Sequence, residues 1–403
     1  MSVSSLERAA AAELGKLVRA RIDTLADELI EFRRDLHAHP ELSWYEERTA
    51  GRIADRLTAA GLAPSRVGAS GLIVDIGPAD APVVALRADL DALPVADLTP
   101  DPWRSTVDGV AHACGHDVHT SALLGAGLAL AAMADRLERR VRLVFQPAEE
   151  IMPGGALAMI EAGALKDVAA IFMLHCDPAT DVGQVGLREG PQTGAADSLT
   201  VVLSGRGGHT SRPHLTEDLT FALAKLVTDL PAVLSRRLDP RSGVSVVWGL
   251  VQAGSATNVI PSVGRAAGTV RMLDALAWAD AEALVTESIG QLMAPYGVTT
   301  EITYVRGVPP VVNAPGATAA MAAAIVASAG ETGLVATSQS LGGEDFAWYL
   351  EHVPGALGRL GTRTPGGPTY DLHQGDLRVD ERAVAIGAKV LATTAVDAEV
   401  TER

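Results

Sequence analysis

Cysteine is nearly missing from this 403-residue sequence, which contains only Cys114 and Cys176. That excludes a disulfide framework and fits a reducing compartment. Basic residues are also short, with 33 Lys and Arg against 49 Asp and Glu and a formal net charge of −16. Such a balance argues against nucleic acid and anionic membranes as partners, since both are held by clustered positive charge. Long apolar runs are lacking too. The longest, Ala122–Ala134, is too short to cross a bilayer. Residues 1–40 are interrupted by Arg8, Lys16, Arg19, Arg21, Arg33 and Arg34, leaving no signal-peptide core. The expected location is the cytoplasm. There is no Gly-x-Ser-x-Gly elbow and no phosphate loop, and Gly125-Ala-Gly127 lacks the third glycine of a dinucleotide fingerprint.

What is present is ample core material, 48% hydrophobic with 20% charged residues, in a chain too long for one compact core. Apolar positions at helical spacing (Val18, Ile22, Leu25, Leu29, Ile30) predict an amphipathic helix over 5–36, stopped near Pro40. A second helix is expected over Glu46–Ala60. Strands are expected at 71–77 and 83–89, followed by helix 120–137, strand 140–145, helix 154–163 and strand 169–175. Near-continuous apolar strands alternating with helices indicate an α/β sheet covered on both faces.

From 198 the order changes to strand, helix, strand, strand, helix, strand, ending near 305. That order describes a small ferredoxin-like βαββαβ sandwich. The fold expected is therefore α/β with two domains. A discontinuous catalytic domain, 1–192 and 307–403, is interrupted by an insertion at 193–306.

Five short segments place metal-competent side chains at strand ends or helix starts, where α/β folds build their sites. They are Asp89-Leu-Asp91, Cys114-Gly-His116, Glu149-Glu150, His175-Cys176 and Tyr370-Asp-Leu-His373. Adjacent glutamates allow a division of labour, one binding a cation while its neighbour takes a proton. His112, Asp117 and His119 flank the Cys114–His116 pair and are expected to orient ligands rather than bind metal. His37 and His39 are expected to be structural.

Arg87-Ala-Asp-Leu-Asp-Ala-Leu-Pro94, His112-Ala-Cys-Gly-His-Asp-Val-His119, Phe145-Gln-Pro-Ala-Glu-Glu150, Gly205-Arg-Gly-Gly-His209 and Gly342-Gly-Glu-Asp-Phe346 together resemble one family. It is the co-catalytic metallo-amidohydrolase/carboxypeptidase family, in its N-acyl-amino-acid amidohydrolase branch. That branch includes hippurate hydrolases, indole-acetyl-amino-acid hydrolases and N-acetyl-diaminopimelate deacetylases. The resemblance runs from about Asp35 to Ala383 with the motifs in order.

The resemblance implies two divalent metal ions, with Cys114, His116, Glu150, His175 and His373 as ligands and Glu149 as general base. It implies that the insertion is a lid that also dimerises. In the lid it points to His209 or His214 as the partner of the substrate's oxyanion, and to Asn258 and Arg271 as substrate-binding residues. A planar guanidinium suits a free carboxylate because it can hold both oxygens at once. A thiolate in the ligand set favours zinc over magnesium or calcium, with manganese also compatible with the mixed donors.

The implied activity is hydrolysis of the amide of an N-acyl amino acid or similar small acylated compound. A dipeptidase or aminobenzoyl-glutamate-type hydrolase on the same site is the nearest alternative within enzymes. A non-catalytic ligand-binding relative is the alternative outside them, and retention of both glutamates and all five ligand types speaks against it.

Overall fold

The computed structural model describes residues 3–397, which fall into two compact units. The first comprises residues up to Gln192, Val312–Ser338 and those from Trp348 onward, and the second comprises Thr193–Val311 with Gln339–Ala347. The sequence reading ends the insertion at 306 and assigns 307–403 wholly to the first domain. Local bonding explains why Gln339–Ala347 goes with the insertion. Gln339 Nε2 donates to the Thr193 and Leu273 carbonyls at 3.0 and 3.3 Å, and the Gly194 amide donates to the Gly342 carbonyl at 3.2 Å.

In the first unit the helix Val3–Ala38 buries Val18, Ile22, Leu25, Leu29 and Leu36, a stripe at helical spacing. Pro40 follows its end and disfavours continuation. The sheet has eight strands in the order 65–67, 71–76, 140–146, 83–89, 168–181, 355–363, 185–187 and 334–336. Strand Val83–Asp89 pairs parallel with Arg140–Gln146 on one side and Val168–Asp181 on the other. All seven of its residues are buried, so side chains on both faces of the sheet are covered there. Parallel register brings the carboxyl ends of three strands together. Asp89 lies beside Gln146, and Arg87 beside Met173, two residues before His175.

The helix His116–Ala131 is buried along almost its whole length and packs against Val3–Ala38 and the helix Arg382–Asp397. Glycine permits that packing. A Cβ on Gly125 would meet Leu29 at 2.5 Å, and one on Gly127 would meet Leu143 at 2.3 Å. The Gly125-Ala-Gly127 pair is thus a close-approach surface between elements.

The second unit is a four-stranded antiparallel sheet in the order 245–253, 263–272, 195–204 and 299–308. Helices Leu219–Arg237 and Ala281–Met293 pack on each other and on the sheet. Chain order and strand order together make this the ferredoxin-like βαββαβ arrangement. Buried Asp197 joins three elements by accepting from Trp278 Nε1 at 2.9 Å, the Tyr304 hydroxyl at 2.6 Å and the Gly307 amide at 2.8 Å. No described helix in either unit is long and apolar enough to cross a membrane.

Candidate metal centre

The turn before helix His116–Ala131 sets the geometry of the first unit's polar cluster. Gly115 takes φ 84°, and a Cβ there would lie 2.8 Å from Cys176 Sγ. Only glycine meets both demands without strain. Cys114 and His116 therefore project from either side of a tight left-handed corner pressed against the strand that carries His175.

Three of the four described non-glycine residues with positive φ belong to segments around this cluster: Trp44 at 70°, Ala148 at 55° and His373 at 63°. Such conformations persist only where surroundings over-determine them. At Ala148 the amide donates to Glu46 Oε1 at 2.8 Å, immediately before Glu149 and Glu150. At His373 the amide donates to the Ala113 carbonyl at 2.7 Å, tying the late segment to the Cys114 turn.

Hydrogen bonding fixes which ring nitrogens are free. The Cys176 carbonyl can only accept, so His175 Nδ1, 2.8 Å away, carries the proton. Its Nε2 lone pair then faces Cys114 Sγ at 3.6 Å. The His116 Nδ1–H donates to Asp91 Oδ1 at 3.3 Å, while Nε2 has no hydrogen-bond partner and lies 3.7 Å from Glu150 Oε1, which is also 3.4 Å from His373 Nε2. His119 is different. Its Nε2 accepts from the Cys176 amide at 2.7 Å and its Nδ1 donates to Asp89 Oδ1 at 2.6 Å. Both nitrogens are committed, so His119 can position neighbours but cannot ligate. Asp89 is held in turn by Arg87 Nη1 at 2.7 Å, a guanidinium that also donates to Gln146 Oε1 at 3.0 Å.

Donor atoms converge in overlapping triplets, each with all its atoms within 4.8 Å of one another. One is Cys114, His116 and His175, another is Cys114, Glu150 and His373, and a third is His116, Glu149 and Glu150. The first two share the Cys114 thiol. Electrostatics mark the same place as short of positive charge. Burial, with the Glu150, Glu149 and Asp89 carboxylates, holds the Cys114 thiol well above its ordinary value. Burial opposes charge on His116, but Asp89, Asp91 and Glu150 outweigh it and push its ring up to about 10. Burial, reinforced by His119 and Arg359, holds His175 well below its usual value and keeps it neutral. His116 Nε2, buried without a hydrogen-bond partner and facing Glu150 Oε1 amid thiol, imidazole and carboxylate donors, fits a soft-to-borderline divalent cation.

Residues 85–397 match the family described as Peptidase family M20/M25/M40. The chain belongs to this family.

Several of its relatives are named hydrolase, amidohydrolase or deacetylase, and the chain is a hydrolase of this family. It is 37% identical over 375 residues to the N-acetylcysteine deacetylase of Bacillus subtilis (strain 168), covering 91% of this chain and 96% of that one. It is 52% identical over 364 residues to a Rhodococcus jostii (strain RHA1) protein that carries a glutamate–cysteine ligase name. That match covers 90% of this chain but only 46% of the relative, and the ligase name is said of the longer protein. Among solved structures, the Bacillus subtilis YXEP protein, a dinuclear metal-binding peptidase of the M20 family, superposes with TM-score 0.80 at 34% identity. That likeness covers 93% of this chain and 98% of the other.

For this M20-family chain, several flanking residues behave differently from the sequence expectation. Asp117 turns away from the cluster, bonding Arg33 Nε at 2.6 Å and His37 Nδ1 at 2.8 Å, and so anchors the first helix. His37 is accordingly structural. His112 is buried with neither ring nitrogen hydrogen-bonded, and burial holds it down at about 4. It therefore orients no ligand through a hydrogen bond. In the second unit His209, His214 and Asn258 are exposed. His209 pairs with Val259, and the Thr210 amide donates to the Asn258 carbonyl at 3.2 Å, so His209 and Asn258 are neighbours. Arg271 donates Nη1 to the Leu341 carbonyl at 2.6 Å.

Sequence reasoning did not single out Ser43 or Glu46, which brace Asp91 and the Glu149–Glu150 turn. No motif marks them. The pattern Arg87-x-Asp89 did carry a signal, because alternate residues of a strand share a face.

Proposed function

We propose that the first unit holds two divalent cations and hydrolyses the amide of an N-acyl amino acid, with Glu149 as general base. The observation that carries this reading is the sharing of Cys114 between the His116–His175 and Glu150–His373 donor sets. Five protein ligands can serve two ions when one side chain bridges them, and a thiolate can bridge. Thiolate and imidazole favour zinc, while the carboxylate also admits manganese. Two such cations, when bound, lower the pKa of water and polarise the scissile carbonyl.

The protein's own part follows from where its groups sit. Glu149 is buried and adjoins Glu150 and His116. Its carboxylate takes the proton of the attacking water and delivers it to the departing nitrogen. The Asp91 and Asp89 contacts hold His116 and His119 in single orientations, so little reorganisation is needed during reaction. For substrate, His209 or His214 is proposed to stabilise the oxyanion, and Asn258 and Arg271 to bind the substrate, Arg271 at a free carboxylate. Support for Arg271 is that one of its five N–H donors is engaged with Leu341, leaving others for a carboxylate.

The reading extends to a cytoplasmic homodimer or larger homo-oligomer formed through the inserted unit. Two free cysteines support the location. Support for dimerisation is the edge strand Ser245–Ala253, which exposes Val247, Leu250 and Val251.

Glu149→Gln tests the assignment. Turnover of N-acetyl amino acids is expected to fall by roughly 10²–10⁴-fold, with bound zinc per chain at the wild-type ratio. Near-normal turnover in that variant overturns Glu149 as base. Parallel loss of zinc would instead make Glu149 a ligand.

A further inference from the structure

Arg359 sits on the strand Gly355–Arg363, directly beside His175 in the parallel pairing with Val168–Asp181. Residues opposite one another on paired strands point to the same face of a sheet, so these two side chains emerge together. Arg359 Nη1 lies 3.3 Å from His175 Nδ1. The proton on that nitrogen is already given to the Cys176 carbonyl, so two donors meet and the guanidinium gains no acceptor there. Among the described residues no carboxylate pairs with Arg359. Other arginines of the first unit differ in this respect. Arg87 holds Asp89 at 2.7 Å, Arg142 holds Asp75 at 2.8 Å, and Arg363, further along the same strand, holds Asp181 at 2.6 Å. A half-buried guanidinium without a counter-charge is costly, because burial strips water before a partner replaces it. With 49 acidic against 33 basic side chains the sequence has acids in excess, yet none is placed here.

We propose that Arg359 is a specificity-determining residue that binds a second carboxylate of the substrate. His175 Nε2 faces Cys114 while Nδ1 faces Arg359, so one imidazole ring separates the guanidinium from the proposed cation donors. An anion on Arg359 therefore sits beside those donors and does not compete with them. Five N–H groups in a planar fork match the two oxygens of a carboxylate. The strand holds this cation in a fixed place. Its other neighbour in the sheet is Gly186, where a Cβ would come 3.4 Å from the Arg359 Cβ, so glycine leaves the arginine stem free on that side. Arg271 is proposed for the first carboxylate of an N-acyl amino acid. A substrate with only one leaves Arg359 uncompensated, whereas a dicarboxylate supplies the missing counter-charge. The class implied is an N-acyl amino acid whose acyl group or side chain ends in a carboxylate.

This inference rests on the reading of the site as an N-acyl amino acid hydrolase. Two substrate pairs test it. N-succinylalanine against N-butanoylalanine varies the charge on the acyl side, and N-acetylglutamate against N-acetylglutamine varies it on the amino-acid side. For wild type, KM is expected to be about 10–100-fold lower for the charged member of one pair, and the responding pair identifies the side. Arg359→Met is expected to erase that difference by raising KM for the charged member, without weakening zinc binding in competition with a chromogenic chelator. Arg359→Lys keeps the charge but loses the fork, and should retain part of the preference. Wild type with no preference in either pair overturns the proposal, and so does a preference that survives in Arg359→Met. Equal loss on charged and neutral substrates with weakened zinc binding overturns it too, since Arg359 would then act through His175. Should Arg359→Met not fold, Arg359→Gln replaces it under the same criteria. Wild-type protein that binds zinc and hydrolyses none of the four compounds removes the N-acyl amino acid reading itself, and the substrate role of Arg359 with it.

Discussion

At Gly115 the backbone takes φ 84° immediately before the helix His116–Ala131, and a Cβ would lie 2.8 Å from the Cys176 sulfur. Gly115→Ala should therefore cost roughly 1–3 kcal/mol from backbone strain alone, with the sulfur contact adding to it. The expected outcome is a lower urea midpoint together with weaker zinc binding, since Cys114 and His116 flank the corner. An unchanged midpoint would show that the corner can relax. Residues of this kind were partly legible in the sequence. The concentration of Cys114, His116 and their flanking histidines was visible, as was the positioning part of His119, but the employments of Asp117 and His112 were not. His119 spends both nitrogens on Asp89 and the Cys176 amide, Asp117 serves Arg33 and His37, and the His112 ring has no hydrogen-bond partner. Those differences depend on partners 30 to 84 positions away in the chain, which no local pattern encodes.

Among the elements, hydrophobic periodicity carried most of the information. The helices at 3–38 and 47–59 and the strands at 71–76 and 83–89 follow it closely. The helix expected from 120 begins instead at His116, because its cap is a left-handed glycine with no side-chain cap bond to announce it. The strand expected at 169–175 continues to Asp181, stabilised by parallel pairing with Gly355–Arg363, a partner 180 residues later. The edge strand Ser245–Ala253 invites a direct test of the proposed dimer. Val247→Lys places a charge on an exposed apolar position of an unpaired edge, a device that blocks strand-to-strand association. Sedimentation is expected to shift from dimer toward monomer, with the circular dichroism spectrum retained. A variant that sediments like the wild type would move the dimer contact elsewhere.

For the whole molecule, the five side chains proposed as cation ligands all lie within the first compact unit. Cation binding should then stabilise that unit selectively. Free metal at 100 times the dissociation constant contributes about 2.7 kcal/mol per site. Calorimetry of metal-free and metal-loaded protein is expected to show one transition moving upward on loading and a second, belonging to the inserted unit, staying in place. Equal movement of both transitions, or of neither, would contradict that assignment. The division into two units was foreseeable from the change in element order near residue 198. The allegiance of Gln339–Ala347 was not, because it rests on bonds from Gln339 and Gly342 to residues at the opposite end of the insertion.

His373 reaches the cluster from a left-handed backbone position, its amide held by the Ala113 carbonyl. Between Cys114 and His373 lie the rest of the sheet and the entire inserted unit. A nascent chain therefore exposes Cys114, His116 and His175 well before it can offer the closing imidazole. During synthesis the residues of the first donor triplet emerge early, and the second triplet waits for the segment that carries His373. The order in which the protein is made thus sets an order in which its two donor sets become complete.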